Sequence, residues 1–331
     1  MKISALGLTA AAGAAVIGLA LTAMPASAQE WTGWNIHPKN AHPSAFAMDK
    51  FVELVNAGTE GRIGAKVFHG GVLGSQSDAI EQLRLGAIQF ANFNVGPMGK
   101  IVPETNVALL PFVFKSVPHM FRAIDGAFGD ALAAAMEKKG LKVVGWVGSG
   151  ARSFYNTKRP ITKPADLKGL KIRTPGNPLW VGMVEAMGGN ATPMNFSEVF
   201  QSIKTNVLDG GENNFPSFVS AKHHEVSKFF SLTEHMMLPE CICVSTMAFN
   251  ALSVADQKVV LSAGKVAAAL HRELWDGDAA KARKEAEDSG VKINEIPDKS
   301  AFQAAMKPVY AEFISKNPDL ASLIDTIKAI D

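Results

Sequence analysis

LKGLKIRTPGNPLW, residues 167–180, decides how the chain is read. Its apolar start, around Leu170 and Ile172, ends on Arg173 and runs straight into Thr174-Pro175-Gly176-Asn177-Pro178. Proline has no N–H to give a ladder, so the run reads as a short strand that cannot continue past Pro175. That leaves an always-charged guanidinium at the strand tip. In open α/β sheets, ligands sit in the crevice beyond the carboxyl ends of strands. A guanidinium there offers a planar, forked pair of donors that fits both oxygens of a carboxylate, which the point charge of lysine does not.

Outward from this stretch, short apolar runs alternate with amphipathic ones. GRIGAKVFH (61–69), FANFNVG (90–96), LKVVGWVG (141–148) and VLDGGEN (207–213) read as strands. SDAIEQLRLGAI (77–88), PHMFRAIDGAFGDALAAAMEKKG (118–140) and SEVFQSIKTN (197–206) read as helices. Such alternation predicts an α/β fold with largely parallel sheets. Ser253 with Asp256 three residues on is a capping-type helix start, and no proline intervenes before Gly290 offers a stop. A helix over about 35 residues would be ~55 Å long, more than one small domain is wide. A chain this long exceeds what one core comfortably fills, so two domains are expected.

The first residues set the compartment. Lys2, an apolar stretch from Ile3 to Ala23, and Met24-Pro25-Ala26-Ser27-Ala28-Gln29 make the pattern of a secretory signal peptide, residues 1–28, with cleavage expected after Ala28. Periplasmic localisation follows. The chain carries 33 basic against 31 acidic side chains, and the leader holds only Lys2 among them. Bulk charge this close to balance attracts neither nucleic acid nor a membrane surface. Cys241 and Cys243, two apart on one face of a strand, would form a strained disulfide and are expected as small core residues.

The sequence carries none of the familiar catalytic patterns. His37 and His42 lie in a proline-bearing loop and His223 and His224 are adjacent, so neither pair has the i, i+4 spacing with a glutamate that a zinc hydrolase uses. Gly148-Ser149-Gly150 lacks the spacing of a nucleophile elbow. HGGVLGS (69–75) matches neither the dinucleotide fingerprint nor the phosphate loop. No metal or cofactor is expected. What remains is a set of polar residues at strand ends, Asn92, Asn94, Arg152, Arg173, Glu212, Asn213 and Asn214, which together suggest a lined cleft.

RSFYNTKRPITKPADLKGLKIRTP (152–175), followed by MGGNATPMNFSEVFQSIKTNVLDGGENN (187–214), resembles the signature of the DctP-type solute-binding proteins of tripartite ATP-independent periplasmic (TRAP) transporters. The segment from Gly61 to Phe90 and the long late helix resemble that family too. The resemblance covers essentially the whole chain after the leader. It implies a periplasmic binding protein fold of two α/β lobes that close on a hinge, with the long helix spanning both. Lobe I would hold 29–149 and 239–278, and lobe II 150–238 and 279–331. In the family the arginine of a G-L-K-x-R motif pairs with the ligand carboxylate, and here that position is Arg173. By the same matching Arg152 is a second family arginine, Asn213 a polar contact and Phe196 an aromatic wall. His37, Gln76 and Asn94 fall where lobe I contributes polar contacts.

The implied role is capture of a small organic carboxylate and delivery to the small and large integral membrane subunits of a TRAP permease, by a protein expected to act as a monomer. Two arginines suit a C4-dicarboxylate. Amides at Gln76, Asn92, Asn94, Asn213 and Asn214 suit hydroxyls, because an amide both donates and accepts. Trp180 or Phe196 could lie against a sugar ring or aliphatic chain. The balance favours a sugar acid, a uronate or aldonate, ahead of a C4-dicarboxylate or 2-oxo acid. The rival classes are a sensory module uncoupled from transport and a hydrolase or isomerase using Glu212 or Glu240 as base.

Overall fold

The computed structural model describes residues 29–331, and the expected leader, 1–28, lies outside the described residues. The chain begins β1 (Gln29–Trp34), α1 (Pro43–Gly58), β2 (Ile63–Phe68), α2 (Gln76–Arg84) and β3 (Phe90–Asn94). Here β1 pairs in parallel with β2 and with β3. Ser75 starts α2 with a capping box: its hydroxyl accepts from the Asp78 amide, and the Asp78 carboxylate accepts from the Ser75 amide. The apolar stretch around 118–140 is two helices, α3 (Val117–Ile124) and α4 (Ala127–Glu137). The turn between them folds back so tightly that a Cβ on Gly129 would stand 1.8 Å from the Ile124 carbonyl oxygen.

Two strands are far longer than the sequence suggests: β4 (Leu141–Asn156) and, later, β8 (Phe229–Ser245). Between them lie β5 (Lys171–Thr174), α5 (Pro178–Ala186), β6 (Asn190–Pro193), α6 (Val199–Lys204), β7 (Gly210–Asn213), α7 (Phe215–Ser220) and α8 (His223–Val226). After β8 come α9 (Thr246–Asn250), α10 (Val254–Asp288), β9 (Lys292–Asn294), α11 (Ser300–Ala305), α12 (Lys307–Lys316) and α13 (Ala321–Lys328).

The strands form one sheet in the order β2-β1-β3-β8-β4-β7-β5-β6, with β9 added to β8. The expectation of largely parallel pairing holds toward both ends of the sheet and fails in its middle. Strand β8 runs antiparallel to both β3 and β4, and β4 runs antiparallel to β7. The outer strands, β1 with β2 and β3 and β5 with β6 and β7, pair in parallel as βα alternation dictates, and β9 adds to β8 in parallel as well. The reason lies in the chain path. Strand β4 leaves the β2-β1-β3 end for the β7-β5-β6 end and β8 returns beside it, and two adjacent passages in opposite directions must be antiparallel.

Helix α10 accounts for the capping signal at Ser253, whose side chain accepts from the Asp256 amide, and the chain leaves it through Gly290 at φ +81°. Its 35 residues measure about 52 Å. It lies against α1, β4 and α7, and so touches both ends of the sheet. Contact with β4 is close because a Cβ at Gly264 would sit 2.6 Å from the Val144 carbonyl oxygen. Trp31, Phe51 and Phe90 pack one core beneath α1, and Tyr155, Phe218 and Phe230 pack another around α7. Cys241 and Cys243 are free thiols with no exposed surface, as expected of core residues. No helix among the described residues is long and apolar enough to cross a membrane.

Candidate functional site

A cavity of about 540 Å³ opens where the two halves of the sheet meet. Five strands supply it: Asn92 and Asn94 from β3, Glu240 from β8, Arg152 from β4, Asn213 from β7 and Arg173 from β5. His37 enters from the loop after β1, Gln76 from the start of α2, and Phe196 from the segment after β6.

Arg173 is 6% exposed. Its Nε donates to the Met194 carbonyl at 2.9 Å, which fixes the plane of the guanidinium. The two terminal amino groups have no hydrogen-bond partner among the described residues. The group lies 5.7 Å from the centre of the Phe196 ring, within cation–π range. Burial lowers its pKa to about 10, which leaves it charged at neutral pH. It is therefore an oriented cation with an unused fork, pointing into a cavity.

Arg152 differs. Its Nε and Nη2 donate to the two carboxylate oxygens of Glu212, each at 2.7 Å, and Nη2 also reaches the Glu212 carbonyl. Nη1 donates to Asn213 Oδ1 at 2.8 Å. Glu212 has no exposed surface. Burial alone would push its carboxyl up, but Arg152 and the neighbouring His235 outweigh that and bring it down to about 2. His235, stacked on Phe154 at 4.4 Å, sits 3.4 Å from Glu212. Counting two arginines for a dicarboxylate is thereby corrected, because Glu212 already cancels the charge of Arg152. A break in the β4–β8 register between Gly148 and Ala151, with Gly150 at φ +59°, precedes Arg152. Bulges of this kind re-aim a side chain, and this one sits where Arg152 turns to the cavity.

The amides are partly committed to one another. Gln76 Nε2 donates to the Asn94 carbonyl and Asn94 Nδ2 to Gln76 Oε1, both at 2.9 Å. Asn213 Oδ1 accepts from Arg152 and from the Asn214 amide, which leaves its Nδ2 for a ligand. Two expected ligand contacts are corrected. Trp180 has no exposed surface and packs in the core under Gly96, where a Cβ would stand 2.2 Å from its ring. It is absent from the cavity wall and instead lies 5.8 Å beneath the Arg152 guanidinium. Asn214 spends its amide on the backbone, accepting from the Ser217 amide at the start of α7 and donating to the Ser149 carbonyl. Met194 and His223 also line the cavity, and the sequence reading did not place them there. His223 shares a 2.8 Å hydrogen bond with Tyr155, and nothing local in the adjacent His223-His224 pair announces that.

Three of the histidines, His37, His42 and His271, form a buried column with Trp275. His37 stacks on His42 at 3.6 Å, and His42 and His271 both pack on Trp275. Burial lowers His37, His223 and His271 each to about 3. An unfolded histidine takes its proton near 6.5 whereas these folded ones refuse it until about 3, so stability is greatest above pH 6.5 and falls as the pH drops below that value. At pH 5 the loss is on the order of 2 kcal/mol per histidine. Glu240, raised by burial to about 7, acts oppositely between pH 4.5 and 7, but one carboxyl does not offset three imidazoles. The melting temperature without ligand is expected to fall well below its pH 7 value at pH 5. A flat profile in scanning calorimetry would show that these rings are not held neutral.

Comparison with known proteins agrees with this geometry. The profile of the DctP family, described as bacterial extracellular solute-binding protein, family 7, matches residues 35–317. A solute-binding protein of Chromohalobacter salexigens is 49% identical, over 95% of this chain and 94% of that protein. The crystal structure of a TRAP periplasmic solute-binding protein from Roseobacter denitrificans with bound β-D-glucuronate superposes with a TM-score of 0.90 at 50% identity, covering 92% of this chain and all of the other. One from a Sulfitobacter species with bound β-D-galacturonate gives 0.89 at 52% identity, over 90% and 99%. Both neighbours are two-lobed binding proteins and neither is an enzyme. The chain therefore belongs to the DctP-type bacterial extracellular solute-binding proteins, family 7.

Proposed function

We propose that the protein captures a hexuronate, a sugar acid of the glucuronate and galacturonate type, in this cavity and hands it to the membrane subunits of a TRAP permease. One observation carries the ligand class: among the described residues Arg173 is the single cation of the cavity wall whose fork is unmatched, because Arg152 is neutralised by Glu212. One fixed cation suits one carboxylate. The free amide groups and Glu240 then face the rest of the ligand, where hydroxyls would satisfy them. The bound uronates of the two solved relatives support the same class.

In this reading the lobes divide across β4 near Gly148–Gly150 and across β8 near Leu238–Pro239, and the register break in β4 is the hinge. A ligand shifts the open–closed balance only by binding the closed form better. Arg173 and Asn213 from one lobe and Asn94 and His37 from the other would supply that difference. Family membership supports the permease as the partner.

Calorimetric titration of the protein with D-glucuronate, D-galacturonate, D-gluconate, L-malate and pyruvate tests the assignment. Either uronate is expected to bind at least a hundredfold tighter than malate. Tighter binding of malate than of both uronates would overturn it.

A further inference from the structure

Glu240 has no counterpart to its charge. It is 6% exposed and sits in mid-strand in β8, opposite Asn94 of β3 and Val147 of β4. Among the described residues it forms no ion pair, since the nearby Arg152 is committed to Glu212. Asn92 and Ser149 lie beside the carboxyl and support it in part, yet their hydrogen bonds go to the carbonyls of Cys241 and Leu238. A buried carboxylate with only partial support and no ion pair is expensive, and burial raises its pKa to about 7. The flanking positions Cys241, Ile242 and Cys243 are ordinary core. A buried acid in a cleft without an ion-pair partner is where a ligand is expected to act.

Its place in the sheet indicates which part of the ligand. The order β8-β4-β7-β5 puts three strand spacings between Glu240 and Arg173, roughly 14 Å between their backbones. Both side chains reach into the same cavity. The cavity is thus bipolar, with unmatched donors at the β5 end and an unmatched acceptor at the β8 end.

We propose that Glu240 is a specificity-determining residue, which accepts hydrogen bonds from ligand hydroxyls remote from the carboxylate held by Arg173 and repels any ligand carrying a second carboxylate there. This rests on the uronate reading of the cavity and adds what distinguishes a hexuronate from the corresponding aldarate, its dicarboxylic oxidation product. Two negative groups brought together in a site of low dielectric repel strongly, while a hydroxyl in the same place donates to the carboxylate.

The test compares wild type, Glu240→Gln and Glu240→Ala by calorimetric titration with D-glucuronate and D-glucarate at pH 8, where the carboxyl is mostly ionised, with melting curves to confirm folding. Glu240→Ala is expected to weaken D-glucuronate at least thirtyfold. Glu240→Gln keeps the shape and one acceptor, so it is expected to weaken it less while raising the ratio of glucarate to glucuronate affinity at least tenfold. If the alanine variant does not fold, that ratio in the glutamine variant decides. D-glucuronate affinity within threefold of wild type in the variants, or a weakened affinity with an unchanged ratio, would overturn the proposal, because a merely structural carboxyl weakens both ligands alike. Failure of the wild type to bind any hexuronate sinks the uronate reading itself, and appears before any substitution is made.

Discussion

Arg173→Ala is expected to raise the dissociation constant for a carboxylate ligand by a hundredfold to several thousandfold. Removing one partner of a buried ion pair costs about 3–5 kcal/mol, and each ~1.4 kcal/mol is a decade in affinity. The protein is expected to stay folded, because the side chain makes one internal hydrogen bond, to the Met194 carbonyl, and a cation–π contact with half-buried Phe196. Arg173→Lys is expected to lose most of the affinity as well. A lysine ammonium that remained bonded to Met194 could not also present two parallel donors, and one that turned to the ligand would lose the anchor that orients it. Calorimetric titration with D-glucuronate checks both variants. Near-normal affinity in the lysine variant would mean that charge alone, without the fork, holds the carboxylate.

The second large effect falls on stability. Glu212→Ala leaves the Arg152 guanidinium buried without its counter-charge, and is expected to destabilise the fold by ~3–5 kcal/mol, on the order of 10 °C in melting temperature. Glu212 is wholly buried, its two oxygens take three guanidinium and imidazole contacts, and its carboxyl is held near 2. A carboxyl depressed in the folded state contributes its stability above about pH 4.5 and loses it as the pH falls toward 2, so the difference between variant and wild type should be full at neutral pH. The double variant Arg152→Met, Glu212→Gln removes both charges and is expected to recover most of the loss. A single Glu212→Ala variant melting within 2 °C of wild type would show that Arg152 finds solvent or another acceptor.

Much of this was legible in the sequence because it depends on near neighbours. Ser253 and Asp256 announce the start of α10 within one turn, and Pro175 ends β5 one peptide after Thr174. Seven of the nine proposed contact residues line one cavity, since residues at strand ends converge when the strands share a sheet. Trp180 and Asn214 escaped because they turn on packing elsewhere, on Gly96 and on the Ser149 carbonyl, 65 or more residues away in the chain. Glu240 carried a faint signal, a lone acid in the otherwise apolar run Leu238 to Val244. Charged residues are almost never buried without a partner, so such an acid points either to a pair or to a site.

By itself the sequence determined several of the alternating strands and helices, the long helix α10, the core placement of Cys241 and Cys243, and an arginine fixed at a strand tip; these follow from side-chain periodicity, capping and the missing N–H of proline, all of which act within a few residues. Only the tertiary structure decided that β4 and β8 run antiparallel through the middle of one sheet, that Glu212, 60 residues from Arg152, cancels one of the two cavity arginines, and that Glu240 faces the other across it. Charge pairing and burial are set by distance in space, and the strand order that fixes those distances is not written in any local stretch of the chain.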